Sequence, residues 1–491
     1  MTAPSSIPAD LEKNKPSEPS TDPGQAKQNA GDTPVVSFEE GDPENPMNFR
    51  PWFKAWLTLE MGLLALAGSV GSSIITPAET AIASYLNISS EVAKRSFFTP
   101  GYAFGPLVWA PISELYGRKW SILPGVFALG LFSIGTATSR NAASIFITRF
   151  LGGVFGSAPI SNTTASLGDF YHARERGVPM AFLAVCVVGG PTIAPLIGAA
   201  LTVNPHLGWR WTEYIEAIFA FAMFLVAAFA LPETYHPVLL RRKEARLRKG
   251  AGDPGHGPPM PSLTNIVTKH LTRPLRMLFT EPIVTCIALY ASFVYGLLFL
   301  NLEVYPIVFH EHRQYSLVVS TLPLLGLFVG VVFALTINIA NQPLYARAVM
   351  KNNGRAVPEA RLPPMVVGGV MFSAGLFWFG WTAAPKYSWA SPVVAGGFIG
   401  AGFNIVFQQC LNFLVDSYGA YGASAVSANN FLRSLMAFGL PLAARPMFLN
   451  LGVCPASSLL GGISCLALPV PFIFMKYGKK LRSMSKFAAK Y

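Results

Sequence analysis

From Trp52 onward the chain alternates long apolar runs with short polar breaks, and run length decides the architecture. An α-helix rises about 1.5 Å per residue, so about 20 apolar residues cross the hydrocarbon core of a bilayer. Runs of that length lie near 56–76, 97–115, 121–139, 143–166, 178–201 and 213–231. A second set lies near 283–307, 316–338, 364–384, 391–412, 426–447 and 457–475. In lipid every backbone N–H and C=O must find its partner inside the segment, so each run is a helix. The pattern predicts an all-α membrane protein with twelve transmembrane helices in two sets of six. The halves occupy 51–231 and 282–476, with a short tail over 477–491. Residues 1–50 are rich in Pro, Ser, Asp and Glu with no aromatic before Phe38, the composition of a disordered tail.

The sets are separated by a polar, basic linker, 232–281, that opens with Pro232-Glu233-Thr234-Tyr235 and continues through Leu239–Lys249. It has two readings. One is an amphipathic helix on an anionic leaflet, where each basic residue contributes about 1 kcal/mol. The other is a solvated connection. Gly250–Pro261 reads as flexible.

Composition narrows the class. Of 491 residues, 52% are hydrophobic and 13% charged, against about 25% charged in soluble globular chains. That excludes a soluble enzyme, a coiled coil and a disordered chain. The net charge of +12, from 37 Lys and Arg against 25 Asp and Glu, would suggest nucleic acid in a soluble protein. Its distribution argues against that partner: with the N-terminus inside, 28 cations fall in inner segments and 6 in outer loops. The asymmetry puts both termini in the cytoplasm, as an even number of spans requires. The sequon Asn87-Ile88-Ser89 then lies outside as a glycosylation candidate. The polar N-terminus is not a cleaved signal peptide. Cys186, Cys286, Cys410, Cys454 and Cys465 lack CxxC spacing and support neither a disulfide framework nor a zinc site.

Chemistry is sparse. No GxxxxGK[ST] sequence and no large soluble segment is present, so the chain does not hydrolyse ATP. His310-Glu311-His312 sits at an outer helix end and is not read as a metal site. No nucleophile-base constellation stands out, so neither an enzyme nor a cofactor is expected. The first inner loop, Pro111-Ile112-Ser113-Glu114-Leu115-Tyr116-Gly117-Arg118-Lys119, sets a carboxylate before a tight turn and two cations. It is either a latch, with Glu114 meeting basic groups or a helix N-terminus of the opposite half, or a plain short loop.

Ionisable groups within spans cost about 2.5–3.5 kcal/mol each on insertion scales and are functional candidates by default. Arg149 lies in span four and Arg433 in span eleven, four residues after Asn429 and on its face. Each is either a functional cation or a structural one. Glu216 and Glu303 are proton carriers if desolvated, though both lie near the outer interface; Glu60, near the inner one, ranks lower. Asp169 with Arg174 and Arg176 reads as a structural cluster. Asn404, Gln408 and Asn412 recur every four residues as a polar stripe, and Ser161–Thr164 interrupt span four similarly. Such stripes face either a water-filled path or a hydrogen-bonded helix seam. Gly101/Gly105, Gly152/Gly156, Gly326/Gly330 and Gly396/Gly400 have helix-packing spacing.

Gly105-Pro106-Leu107 followed by Pro111-x-Ser113-Glu114-x-x-Gly117-Arg118-Lys119 resembles the loop signature of the major facilitator superfamily, in the form of fungal twelve-span drug:proton antiporters that expel drugs or secondary metabolites. Arg149-Phe150-Leu151-Gly152-Gly153 resembles that family's fourth-helix Arg motif, and Gly190-Pro191-Thr192-Ile193-Ala194-Pro195-Leu196-Ile197-Gly198-Ala199 its fifth-helix antiporter motif. Trp209-Arg210-Trp211, Pro232–Tyr235, Pro358–Leu362 and Asn429–Ser434 are also similar, so the likeness spans about 45–485. Ala194 and Ala199 stand where the family's motif usually has glycines, and Cys454-Pro455 where relatives often carry an aromatic residue.

The resemblance implies two six-helix bundles around a central cavity, and makes Arg149 a residue of proton coupling or substrate orientation. It also implies a proton-coupled exporter of small organic compounds working by alternating access. Its partners are substrate, protons and the bilayer; its expected state is a monomer in the plasma membrane, with the vacuolar membrane as the alternative. Three competitors stay open: an uptake permease for a polyamine, vitamin or organic anion, a non-transporting sensor, and an integral-membrane enzyme.

Overall fold

The computed structural model describes residues 37–39, 41–88, 98–172, 175–250, 272–352, 357–485 and 487, and every regular element among them is helical. Twelve long helices organise the described residues. The first six are α1 (Pro51–Val70), α2 (Phe98–Tyr116), α3 (Arg118–Thr138), α4 (Ala142–Phe170), α5 (Gly177–Val203) and α6 (Arg210–Ala230). The second six are α7 (Pro282–Tyr305), α8 (Leu324–Lys351), α9 (Leu362–Thr382), α10 (Ala390–Tyr418), α11 (Gly422–Leu451) and α12 (Val453–Met484). α12 is broken at Leu468, where Pro469 starts a new helix.

Ten of these helices are long and apolar enough to cross a membrane. The other two, α2 and α11, carry Pro106 and Pro111, and Pro441 and Pro446, respectively. They pack on each other across the division between halves, with the Phe104 and Phe431 rings 6.1 Å apart. Helices that bury a face against protein need less apolar surface than lipid-facing ones. α5 and α8 form the second contact between halves. Each half otherwise has its own core, one built around Leu57, Leu129 and Leu167, the other around Val294, Phe379 and Phe413.

The six-plus-six reading of the sequence thus matches the fold. Its largest boundary error is the run 316–338: Leu317–Thr321 is a separate short helix, and α8 continues to Lys351. The run was expected to end at Asn338. That residue is instead buried against α10, donating to Gln408 Oε1 at 2.6 Å and accepting from Gln409 Nε2 at 2.8 Å.

The expected small-residue packing is present. Cβ atoms on Gly330 or Gly400 would overlap the carbonyls of Gly397 and Leu327, so α8 and α10 touch backbone to backbone. A Cβ on Gly101 would likewise overlap α4 at the Phe150 carbonyl.

The linker begins as a helix, His236–Gly250; the flexible stretch expected beyond it falls outside the described residues, as do Ser89 of the sequon and Arg174. Of the tail expected over 1–50, the part before residue 37 is also outside. Residues 41–50 depart from that expectation, because their acidic groups meet the linker's basic ones. Lys243 Nζ donates to Asp42 at 2.6 Å, and Arg246 makes a two-pronged pair with Glu44 at 2.9 and 3.1 Å. The hydrogen bond from Lys243, and then the Glu44 backbone N–H, hold the Asp42 carboxyl below its ordinary value, while the same pair raises Lys243. A lowered carboxyl contributes above its unfolded value and loses that contribution as pH falls through the folded one; a raised amine does the reverse at high pH. The clasp is therefore expected to hold unchanged between about pH 5 and 9 and to weaken in about 1 M salt. Amide exchange of residues 42–48 measures it, and release near pH 6 would contradict the assignment.

Candidate functional site

The two ends of the bundle differ. The end that carries the linker is tied by charged knots, and the other opens into a vestibule.

At the linker end, Gly117 connects α2 to α3 with φ +106°, a conformation that glycine adopts at little cost. The turn brings the α3 N-terminus onto Glu233, whose carboxylate accepts from the Arg118 N–H at 2.8 Å and the Lys119 N–H at 3.3 Å. A carboxylate there complements the positive end of the helix dipole. The Arg118 side chain pairs with Asp169 at the end of α4 (Nε–Oδ2 2.8 Å), donates to Ser113 Oγ at 2.8 Å and lies 4.6 Å from the Tyr235 ring centre. Lys119 donates to the Ala228 carbonyl at 2.9 Å. The sequence suggested Glu114 as a latch to basic groups or a helix N-terminus of the opposite half. The ties described here, with Glu233 at the α3 N-terminus, lie within one half. Asp169, expected in a charge cluster with Arg174 and Arg176, pairs with Arg118; Arg174 lies outside the described residues.

The second half repeats the arrangement. Arg361, just before α9, donates to Asp416 near the end of α10 at 2.9 Å, and the Tyr345 hydroxyl donates to the same oxygen at 2.8 Å. Each knot thus joins an Arg after the second helix of a repeat to an Asp at the end of the fourth.

A buried ionic cluster lies toward the other end of the first half. Arg149 Nη1 stands 2.9 Å from Glu213 Oε1 and 3.7 Å from Glu216 Oε2, and Nη2 donates to the Gly71 carbonyl at 2.6 Å. The guanidinium lies 4.6 Å from the Phe98 ring centre. All three charged side chains are at most 2% exposed. Gly71 leaves the room: a Cβ there would overlap the Glu216 carboxylate. A cavity of about 20 Å³, enough for one water, separates Arg149 from Glu79, and Glu79 also lines the vestibule.

The vestibule encloses about 290 Å³ between the halves, with Ser72, Thr76 and Pro195 on one side and Phe299, Glu303 and Pro441 on the other. Arg445 and Glu311 pair at its rim (3.2 Å), and His310 also lines it. Below lie two smaller chambers, of about 20 and 40 Å³, and the Arg433 side chain lines both. Arg433 is 5% exposed, with its guanidinium 4.6 Å from the Tyr295 ring centre and 4.9 Å from that of Phe407.

The structure separates the other candidates. Arg149 and Glu216 are brought together, whereas Arg433 lies apart from them and Glu303 lines the vestibule. Asn429 is fully buried, and neither of its side-chain amide atoms has a hydrogen bond among the described residues. In the polar stripe, Asn404 donates to the Val331 carbonyl at 3.1 Å, forming a helix seam. Gln408 belongs both to that seam and to the lower chamber, and Asn412 lines the chamber. Along the fifth-helix motif, Gly190 and Gly198 press against α1 at Ser69 and against the Ile74 carbonyl, Pro191 and Ala194 are buried between them, and Pro195 reaches the vestibule. Gly105 and Pro106 pack α2 on α4, while Asn87 ends the helix Glu79–Leu86 exposed, at φ +54°. Glu60, ranked low from sequence, is 2% exposed, and neither carboxylate oxygen has a hydrogen bond among the described residues.

Sequence reasoning missed Glu213, Glu233, Asp416 and Tyr295. The Glu213-x-x-Glu216 spacing on one face of an apolar helix was a usable signal. So were Asp169 and Asp416, each at the end of a 29-residue helix in its own half. Tyr295, one of 16 tyrosines, carries no such mark.

Two six-helix halves joined along two helix pairs, with a cavity open at one end, define a polytopic membrane carrier. Residues 61–441 match the family model described as Major Facilitator Superfamily, and the chain belongs to that family. It is 40% identical to the efflux pump bik6 of Gibberella fujikuroi, over 92% of this chain and 95% of the relative. It is 39% identical to the citrinin biosynthesis cluster MFS transporter mrr1 of Monascus ruber, over 96% and 95%. It is 38% identical to the multidrug transporter FLU1 of Candida albicans, over 92% and 76%. Among solved structures, the proton:xylose symporter XylE superposes with a TM-score of 0.62 at 14% identity, covering 87% of this chain and 96% of that one; this likeness concerns the fold.

Proposed function

We propose that this protein is a proton-coupled exporter of small organic compounds that acts as a monomer in the plasma membrane, with both termini in the cytoplasm. The observation that carries the coupling is the Arg149–Glu213–Glu216 cluster. Two carboxylates share one guanidinium at bilayer depth, so the cluster is neutral when one carboxylate holds a proton. Glu79 and the small cavity beside it give protons a path from the vestibule. The relatives' names as efflux and multidrug transporters support the outward direction, and the excess of basic residues at the linker end supports its cytoplasmic placement.

In this reading the structure is the outward-facing state: the vestibule opens outside, and α2–α11 and α5–α8 close the inner half. A proton entering from outside neutralises the cluster, and the halves then rock to the inward-facing state. The proton is released there as substrate binds. The knots at Arg118–Asp169 and Arg361–Asp416 hold each half rigid at the inner end through that motion. The protein's work is transport, with no catalytic step in the cycle.

The test is flux of a panel of amphipathic cations, neutral drugs and organic acids in sealed vesicles under an imposed pH gradient. The expected result is substrate moving opposite to protons and stopping when an uncoupler is added. Substrate moving with protons would make the protein an uptake permease instead.

A further inference from the structure

We infer that Arg433 is the receptor for an anionic group, and that the compounds this protein carries include flat aromatic molecules bearing a carboxylate or phenolate; the inference rests on the carrier reading above. The two intramembrane arginines differ in their compensation. Arg149 has two carboxylates and a carbonyl within 4 Å. Among the described residues Arg433 has no ion pair and no hydrogen bond, and its Nε is buried without a partner. What surrounds its guanidinium is a pair of aromatic faces, Tyr295 and Phe407.

An arginine does not shed its proton in a protein, so the positive charge stays in the barrier between vestibule and inner half. Neither chamber that Arg433 lines has a carboxylate in its wall, whereas the vestibule above has Glu79, Glu303 and Glu311. The upper chamber adds hydroxyl groups of Ser69, Ser72, Thr99 and Tyr102 around the same point. A buried guanidinium that makes no ion pair and no hydrogen bond among the described residues is complementary to an oxyanion, and the rings beside it suit an aromatic body. The chambers are small and the vestibule larger, so the charged group sits at Arg433 while the ring system extends into the wider space.

The site also connects to the proton cluster by packing. Arg149 lies over Phe98, the Phe98 and Tyr102 rings are 5.2 Å apart, and Tyr102 shares the upper chamber with Arg433. An anion at Arg433 is thus separated from the cluster that takes the proton by two side chains, Tyr102 and Phe98.

The test is equilibrium dialysis of purified full-length protein with two labelled probes of one shape, 2-naphthoate and its neutral amide, at pH 7. Naphthoate is expected to bind at least about tenfold more tightly than the amide, as a charge-assisted pair in a dry site does. Arg433→Gln is expected to remove that preference and Arg433→Lys to restore part of it, with both variants shown to be folded by thermal unfolding. Equal binding of the two probes by the unaltered protein, binding of neither, or a preference that survives in Arg433→Gln overturns the inference. Gradient-driven flux of both probes separates the two readings. Preferred binding of naphthoate without flux supports the receptor and sinks the carrier, while flux of both probes without preference does the reverse.

Discussion

Replacing Arg149 with methionine is expected to lower the unfolding free energy by about 3–5 kcal/mol and to abolish gradient-driven transport. The reason is arithmetic of charge. Glu213 and Glu216 are both at most 1% exposed and keep each other's company once the guanidinium is gone. Removing one member of a buried ionic group leaves the others uncompensated in a medium that solvates them poorly. Methionine fills much of the arginine stem, so the loss reports charge more than volume. Adding Glu213→Gln and Glu216→Gln to Arg149→Met should restore most of the stability, because a fully neutral cluster no longer buries charge. Transport should stay absent in the triple variant. Thermal unfolding in detergent, read beside vesicle flux, separates the two roles; an Arg149→Met protein that melts like the original would contradict the assignment.

Gly117→Ala is expected to cost roughly 2–6 kcal/mol, combining about 1–3 for a backbone conformation that is nearly glycine's alone with about 1–3 for charged hydrogen bonds. The added Cβ would strike the Glu233 carboxylate, which holds the Arg118 and Lys119 N–H groups. Gly208→Ala is the control. Its φ is +69° and nothing beyond its chain neighbours lies within 4 Å of the added Cβ, so it shows the cost of a positive φ without the collision. Equal losses at the two positions would mean that Glu233 contributes nothing. A larger loss at Gly117, reduced when Glu233→Ala is added, is the expected pattern.

How much of this was legible in the sequence depended on the range of the signal. Span number followed from run length because the bilayer imposes one scale on every helix. Span ends were less legible, since a polar residue such as Asn338 looks alike whether water or Gln408 satisfies it. The candidate residues Arg149 and Glu216 were legible one at a time from the cost of burying charge. Their meeting was not, because it joins residues 67 positions apart through tertiary packing. Glu233 shows the same limit: its motif was visible, but its place at the α3 N-terminus depends on how α6 packs beside α3. The pair of rings beside Arg433 was least legible, since Tyr295 and Phe407 stand on different helices with nothing in spacing to mark them.

The central claim is that substrate leaves in exchange for a proton taken by the Arg149–Glu213–Glu216 cluster. Its most direct measurement is proton movement itself, followed with a pH-sensitive dye in weakly buffered vesicles as a transported compound is added. Protons are expected to move opposite to the compound in the unaltered protein, with no substrate-linked proton movement in Glu216→Gln even though that variant still binds the compound. Undiminished proton exchange in Glu216→Gln, or protons travelling in the same direction as the compound, would contradict it.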